Sequence, residues 1–245
     1  MMTVKNYLVS AVRPIQNGWH LENNQDLYKA YGEMYKMRLA SFRKFCQEPF
    51  EAVLWTEPTS DSDTYTVDNW KEIKALWHKE PCNVFWAGAD TFMIRPTSLF
   101  GDRYKEYRLF NYTEPRNHRE FRHHFNDDVQ YYPHTMSRET WDLGEKYWAQ
   151  RETHPDRLWG FDQLRHNAMF WTQDISEDDR LHPEMNYMCH NLRSDSPAEL
   201  ESTRLWNSGV PIADANILHF CASRGSSRVV NMMKVLCQEL GVTYE

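Results

Sequence analysis

Several things are missing from this sequence, and each absence removes a class of function. No run of about 18 apolar residues occurs, so no transmembrane helix is expected. The apolar stretch at residues 7–12 is too brief for a secretory signal. The formal net charge is −7, which leaves no electrostatic footprint for nucleic acid or an anionic membrane. The five cysteines, Cys46, Cys82, Cys189, Cys221 and Cys237, are scattered, odd in number and never spaced as CxxC. Free thiols in a reducing compartment follow, and a cytoplasmic location with them. The run Ser223 to Ser227 contains no GKS or GKT, so a P-loop is excluded; no GxSxG nucleophile elbow exists. His118, His123 and His124 cluster in HREFRHH but lack a second ligand pair, and their alternation with Arg and Glu reads as a wet surface rather than a zinc site. His182 and Cys189-His190 are read in the same way.

What is present is an ordinary globular composition, 41% hydrophobic and 26% charged over 245 residues. That length suits one α/β domain. Ten tryptophans and 13 tyrosines are enough both to fill a core and to line a cleft that stacks on sugars or bases. Residues 6–12 (NYLVSAV) read as a buried strand. Leu27, Tyr31, Met34, Tyr35, Phe42 and Phe45 then recur at helical spacing and predict a helix over 24–47. Residues 51–56 read as a second strand and 57–68 as a loop. Asn69 with Glu72 predicts a helix start by the capping-box pattern, and that helix runs to about residue 79. Residues 83–87 are the third strand. Two strand–helix–strand crossovers imply a Rossmann-like sheet, mixed but mainly parallel and flanked by helices, with ligands beyond the carboxyl ends of its strands. Further on, 107–112, 129–132 and 217–220 read as strands, and 137–150, 161–171 and 226–240 as helices. Without repeats or a low-complexity linker, residues 1–245 read as one domain, whose strand–helix pattern changes at about residue 96.

The third strand ends in Trp86-Ala87-Gly88-Ala89-Asp90-Thr91. A carboxylate there lies at the mouth of the crevice, where it either holds a divalent cation against a diphosphate or caps the next turn. His219, in Ile217-Leu218-His219-Phe220, is either a ligand or a core histidine. The segment from Ile73-Lys74 to Asp90-Thr91 resembles the family 8 glycosyltransferases, of which glycogenin is a familiar member. There a helical lysine precedes a strand ending in Asp-x-Asp-Thr. Three more matches follow in order. Phe125-Asn126-Asp127-Asp128-Val129 resembles the family's Phe-Asn-Ser-Gly-Val, Gly160-Phe161-Asp162-Gln163 its Gly-x-Asp-Gln, and Ile217-Leu218-His219-Phe220 its late strand with a metal-binding histidine.

The resemblance implies a GT-A fold and transfer of a sugar, a hexose by analogy, from a nucleotide sugar to an acceptor hydroxyl with retention of configuration. It implies UDP as the nucleotide and Mn²⁺ (or Mg²⁺) held by Asp90 and His219. Ala89 and the strand-end residues Val9, Ser10 and Ala11 would face the nucleotide, and Lys74 the phosphates. Arg224 or Arg228 would take phosphate contacts where the family has Lys-Pro-Trp, a triplet this chain lacks. Asp162, Gln163 and Asn126 would serve the donor sugar. Lys74 also suits a solvated helix position, and Asp162 also suits a helix N-cap. Gly88 stands where the family has its first acid, and Asp127 or Asp128 is placed to compensate. The acceptor is carbohydrate, lipid-linked or protein. Eukaryotic secretory glycosyltransferases usually carry an anchor, so a bacterial or viral origin is expected. Two alternatives stay open: a nucleotide-sugar-binding protein that lost catalysis with the first acid, and a nucleotidyltransferase.

Overall fold

The computed structural model describes residues 3–16, 24–60, 62–101, 108–111, 125–149, 183–189, 196–207, 209–220 and 226–245. Asp162, Gln163, Arg224, the helix predicted at 161–171, Cys221 and the histidines at 118, 123, 124, 182 and 190 lie outside the described residues. Strand β1 (Lys5–Ala11) is followed by α1 (Asn24–Phe45), β2 (Glu51–Trp55), α2 (Ser62–Lys79) and β3 (Cys82–Ala87). Short β4 (Thr91–Met93) comes next, then β5 (Arg108–Asn111), β6 (Phe125–Tyr132) and α3 (Arg138–Ala149). A 3-10 turn (Pro183–Asn186) leads into β7 (Tyr187–Met188), a longer 3-10 segment (Pro197–Asn207), β8 (Ile217–His219) and α4 (Ser226–Glu239). Among the described residues no helix is long and apolar enough to cross a membrane.

The strands form two sheets. The larger has the order β2-β1-β3-β6-β5. Its pairs β1–β2 and β1–β3 are parallel, while β3–β6 and β5–β6 are antiparallel, so β6 alone runs against the rest. Strand β3 is buried along its whole length, as a central strand covered on both faces must be. Its core gathers Leu8, Val9, Val84, Phe85 and Tyr131 with Trp70 and Trp141 from the helices. The smaller sheet has the order β4-β8-β7 and its own core, in which Phe92, Leu218 and Phe220 meet Val229, Met232 and Met233 of α4. Helix α1 serves both, giving Phe42 to the first core and Met34 and Met37 to the second.

Two predicted starts move, that of β6, which begins at Phe125 and not at residue 129, and that of α2. Helix α2 starts at Ser62, not at Asn69. Asn69 is a buried mid-helix residue whose Oδ1 accepts a 2.9 Å bond from Arg13 Nε. A tertiary partner, rather than the helix terminus, uses its amide. Strands β4 and β7 are too short to show a period of their own and were not predicted.

Candidate functional site

The order β2-β1-β3 puts β2 and β3 on opposite sides of β1. This reversal opens a crevice at the carboxyl ends of β1 and β3. A cavity of about 250 Å³ lies there, lined by Ala11 and Arg13 after β1, Trp86, Gly88, Ala89 and Asp90 after β3, Tyr28 and Tyr31 of α1, Tyr65 of α2 and Asp128 of β6. Arg13 lies over the Trp55 ring (5.7 Å), and Trp55 stacks on Trp86 with centroids 6.0 Å apart. The Tyr31 and Tyr65 hydroxyls are held well above the ordinary phenol range, by burial first and by the charges of Asp90 and Asp128 second.

A tight turn builds the acidic end. Thr91 donates to the Gly88 carbonyl through its backbone N–H (3.2 Å) and its hydroxyl (2.7 Å). Between them the chain leaves the large sheet and enters the small one, with Asp90 on the corner. Strand β4 then runs antiparallel to β8 with Thr91 opposite His219. The Phe220 N–H donates to the Asp90 carbonyl at 3.0 Å. Two residues from distant parts of the sequence thereby become cross-strand neighbours. On the other side, the Gly88 N–H donates 2.9 Å to the Asp128 carbonyl, extending the β3–β6 pairing that has Ala87 opposite Val129.

Three side chains converge. His219 Nε2 lies 3.7 Å from Asp90 Oδ2 and 3.2 Å from Asp128 Oδ2. Side-chain exposure rises from 0% at His219 to 20% at Asp90 and 46% at Asp128, so the group opens toward the crevice from a buried base. The other ring nitrogen, Nδ1, is 3.0 Å from Asn186 Oδ1. An N–H at Nδ1 donating to that oxygen leaves Nε2 with its lone pair toward the carboxylates, the tautomer that ligates metals. The contact to Asp128 is close but not aligned as a hydrogen bond, and buried Nε2 has no hydrogen-bond partner.

Electrostatics bind the group together. Burial raises the Asp90 carboxyl above its usual range and Asp128 adds to this, with His219 opposing. Burial favours a neutral His219, but the charges of Asp90 and Asp128 outweigh it and lift the ring above its ordinary value. A proton and a divalent cation therefore compete for one nitrogen. Below lies Arg38, fully buried over the Phe42 ring (4.9 Å), with Nε 3.3 Å from Thr91 Oγ1 and Nη2 3.4 Å from the Val9 carbonyl. Burial lowers its pKa to about 10. It braces β1 and the acidic turn from beneath. The helical pattern of α1 hid it, since a guanidinium between two cores carries no apolar signal.

The chain's residues fit a divalent cation. Carboxylate oxygens and an imidazole with an orphaned buried nitrogen are its donor chemistry. Among the described residues no group of three or more His, Cys, Asp or Glu side chains is arranged to hold a metal ion, so these residues alone supply an incomplete set of donors.

The other predicted residues are placed as follows. Ala11 and Ala89 line the cavity with Asp90. Val9 and Ser10 lie a layer deeper, where the Ser10 hydroxyl donates to the Ala87 carbonyl at 2.9 Å. Lys74 does not line the cavity; its Nζ is paired with Glu145 of α3. Arg228 is in the first turn of α4, also outside the lining. Asn126 is in β6, paired through its backbone with Phe110. Arg13 was missed: it is buried, lines the cavity and has Nη2 without a hydrogen-bond partner.

Solved structures share this fold. One is a glycosyltransferase involved in the glycosylation of the major capsid of PBCV-1, with TM-score 0.55, 12% identity, and coverage of 94% of this chain and 99% of that one. The galactosyltransferase LgtC, solved with donor and acceptor sugar analogues, gives TM-score 0.54 and 12% identity over 98% of both chains. This chain has the GT-A glycosyltransferase fold. The bifunctional glycosyltransferase WbbM gives TM-score 0.53 and 8% identity over 95% of this chain and 50% of that one. By sequence, no known protein family and no curated protein matches. The GT-A fold agrees with what the sequence resemblance implied.

Proposed function

We propose that this GT-A chain transfers a sugar, a hexose by analogy, from a UDP-sugar to an acceptor hydroxyl. The observation that carries the reading is the meeting of Asp90 and His219 across β4 and β8, with an orphaned ring nitrogen facing carboxylate oxygen at the crevice mouth. A bound Mn²⁺ or Mg²⁺ supplies Lewis-acid neutralisation of the diphosphate leaving group. Asp90 and His219 would hold that ion, and Asn186 fixes the His219 tautomer for it. The turn Gly88–Thr91 holds Asp90 at the crevice, while Arg38 keeps the turn against β1. Tyr28, Tyr31 and Trp86 give the cavity an aromatic wall suited to a base or sugar ring. Arg13 offers a free donor for a nucleotide oxygen.

Roles for Asn126, Asp162 and Gln163 beside the donor sugar, and for Lys74, Arg224 and Arg228 at the phosphates, rest on the motif resemblance. So does retention of configuration; the cytoplasmic location rests on the scattered cysteines and the lack of a long apolar run, and the carbohydrate, lipid-linked or protein acceptor on the aromatic-rich stretch 141–171. One chemical feature favours a second reading. Gly88 removes an acid, which suits a nucleotide-sugar-binding protein without turnover.

The test is incubation with UDP-glucose or UDP-galactose and Mn²⁺, scoring free UDP. Turnover that disappears with EDTA and in Asp90→Ala is the expected result. Binding of several donors without turnover would support the second reading instead, and UTP stabilising the protein more than UDP would favour a nucleotidyltransferase.

A further inference from the structure

The first acid of the motif is absent at Gly88, yet the space beside it is occupied. A Cβ built on Gly88 would lie 2.7 Å from Asp90 Oδ1, 3.8 Å from Asp128 Cβ and 3.9 Å from Asp128 Oδ1. The Asp128 carboxylate thus stands beside the position that a side chain at residue 88 would take. The two residues face each other across β3 and β6, joined by the Gly88 N–H to Asp128 carbonyl bond of 2.9 Å. In Phe125-Asn126-Asp127-Asp128-Val129, Asp128 falls where the similar segment Phe-Asn-Ser-Gly-Val has glycine. Across this one strand pair, acid facing glycine has become glycine facing acid.

We infer that Asp128 is the transplanted acid of this site, a third protein ligand to the divalent cation that Asp90 and His219 hold, delivered from β6 instead of β3. The inference rests on the metal-dependent reading of the crevice and deepens it. Two donors side by side on an octahedral ion with bonds of about 2.1 Å stand about 3 Å apart. The 3.2 Å between His219 Nε2 and Asp128 Oδ2 is close to such an edge, and the 3.7 Å to Asp90 Oδ2 needs a shift of about 0.7 Å. The independent sign of a ligand is His219 itself: fully buried, tied at Nδ1 to Asn186, and with Nε2 unpartnered toward both acids. Both carboxylates face the same buried ring nitrogen, and a cation placed among the three would relieve their mutual repulsion. A side chain at residue 88 would need the Asp90 carboxylate, whose Oδ1 would lie 2.7 Å from the added Cβ, to turn aside.

The experiment is Mn²⁺ titration in the presence of UDP, followed by calorimetry and by the paramagnetic resonance signal of free Mn²⁺, so no turnover is needed. Asp128→Asn keeps the shape and removes the charge. Its Mn²⁺ affinity should fall at least about tenfold, because even residues behind a ligand cost that much. Its metal-free thermal midpoint should be no lower than that of the parent. Asp128→Gly should lose affinity likewise, and adding Gly88→Asp to it should recover affinity by moving the acid back to β3. Asp128→Asn binding as tightly as the parent would overturn the inference while leaving Asp90 and His219 as ligands. A double exchange no tighter than Asp128→Gly alone would overturn the transplantation. A parent protein that binds no Mn²⁺ with UDP would remove the metal-dependent reading and this inference together.

Discussion

The two sheets of this molecule are held in different ways, and the site sits where they meet. The larger sheet rests on apolar burial. Phe85 alone has ring neighbours at 6.2 to 6.4 Å in Phe42, Phe100 and Tyr131. The smaller sheet has strands of two and three residues, too few to form a ladder unaided. Asn207 completes it. Its Oδ1 accepts the Met188 N–H at 2.7 Å, and its Nδ2 donates to the Met188 carbonyl at 3.1 Å and the Thr203 carbonyl at 2.9 Å. One side-chain amide thus substitutes for a neighbouring strand on the open edge of β7. The lesson is that the larger sheet is held by packing, while the smaller one, which has its own apolar core, also needs a buried side-chain amide to complete its edge.

The largest effect should come from the packed side. Phe85→Ala removes a fully buried ring and should cost about 3–5 kcal/mol in denaturant unfolding. Asn207→Ala should cost about 2 kcal/mol or more, because it strands both buried backbone groups of Met188. It should also weaken Mn²⁺ binding through His219, whose carbonyl accepts the Cys189 N–H just beyond. If Asn207→Ala is as mild as a surface change, the small sheet rests on packing too and the contrast fails. Gly241→Ala should cost about 1 kcal/mol, since Gly241 closes α4 with φ of +59° and an added Cβ would stand 3.2 Å from Lys44 Nζ. The smallest effect has the opposite sign. Burial and Asp128 hold the Asp90 carboxyl above its ordinary range, so the fold binds that proton more tightly than the unfolded chain does. Stability is therefore lost as pH rises through the carboxyl range, and the ionised group is a burden at neutral pH. Metal-free Asp90→Asn should melt slightly higher at pH 7, by a few degrees at most, with the gain shrinking in acid; a lower midpoint would contradict this.

The same division explains what the sequence made legible. The strands at 5–11, 51–55 and 82–87 are apolar runs bounded by helices with a clear period, so the Rossmann-like half and Asp90 at its crevice could be read directly. His219 could be singled out as a candidate ligand only through the order of four motifs, because a histidine on a three-residue strand has no periodic signal. Asn186, Asn207 and Arg38 were not readable at all. Their roles depend on partners brought together by the fold, such as the Met188 backbone or Thr91 Oγ1, and nothing in local spacing marks such a partner. Asn69 shows the reverse error, in which a sound local capping pattern was overridden by the tertiary partner Arg13. Asp128 lay between these cases. The sequence showed an unusual acid, and only the cross-strand pairing with Gly88 gave it a place.

The central claim is that the crevice binds a nucleoside diphosphate through a cation shared with Asp90 and His219. Calorimetric titration of UDP with Mn²⁺ and with EDTA, on the parent and on Asp90→Asn, tests it most directly. Linkage requires metal and nucleotide to strengthen each other by the same factor. The account predicts that UDP binds the parent at least about tenfold more tightly with Mn²⁺ than with EDTA, and that Asp90→Asn loses most of this difference. Equal UDP affinity with and without Mn²⁺ in the parent would contradict it.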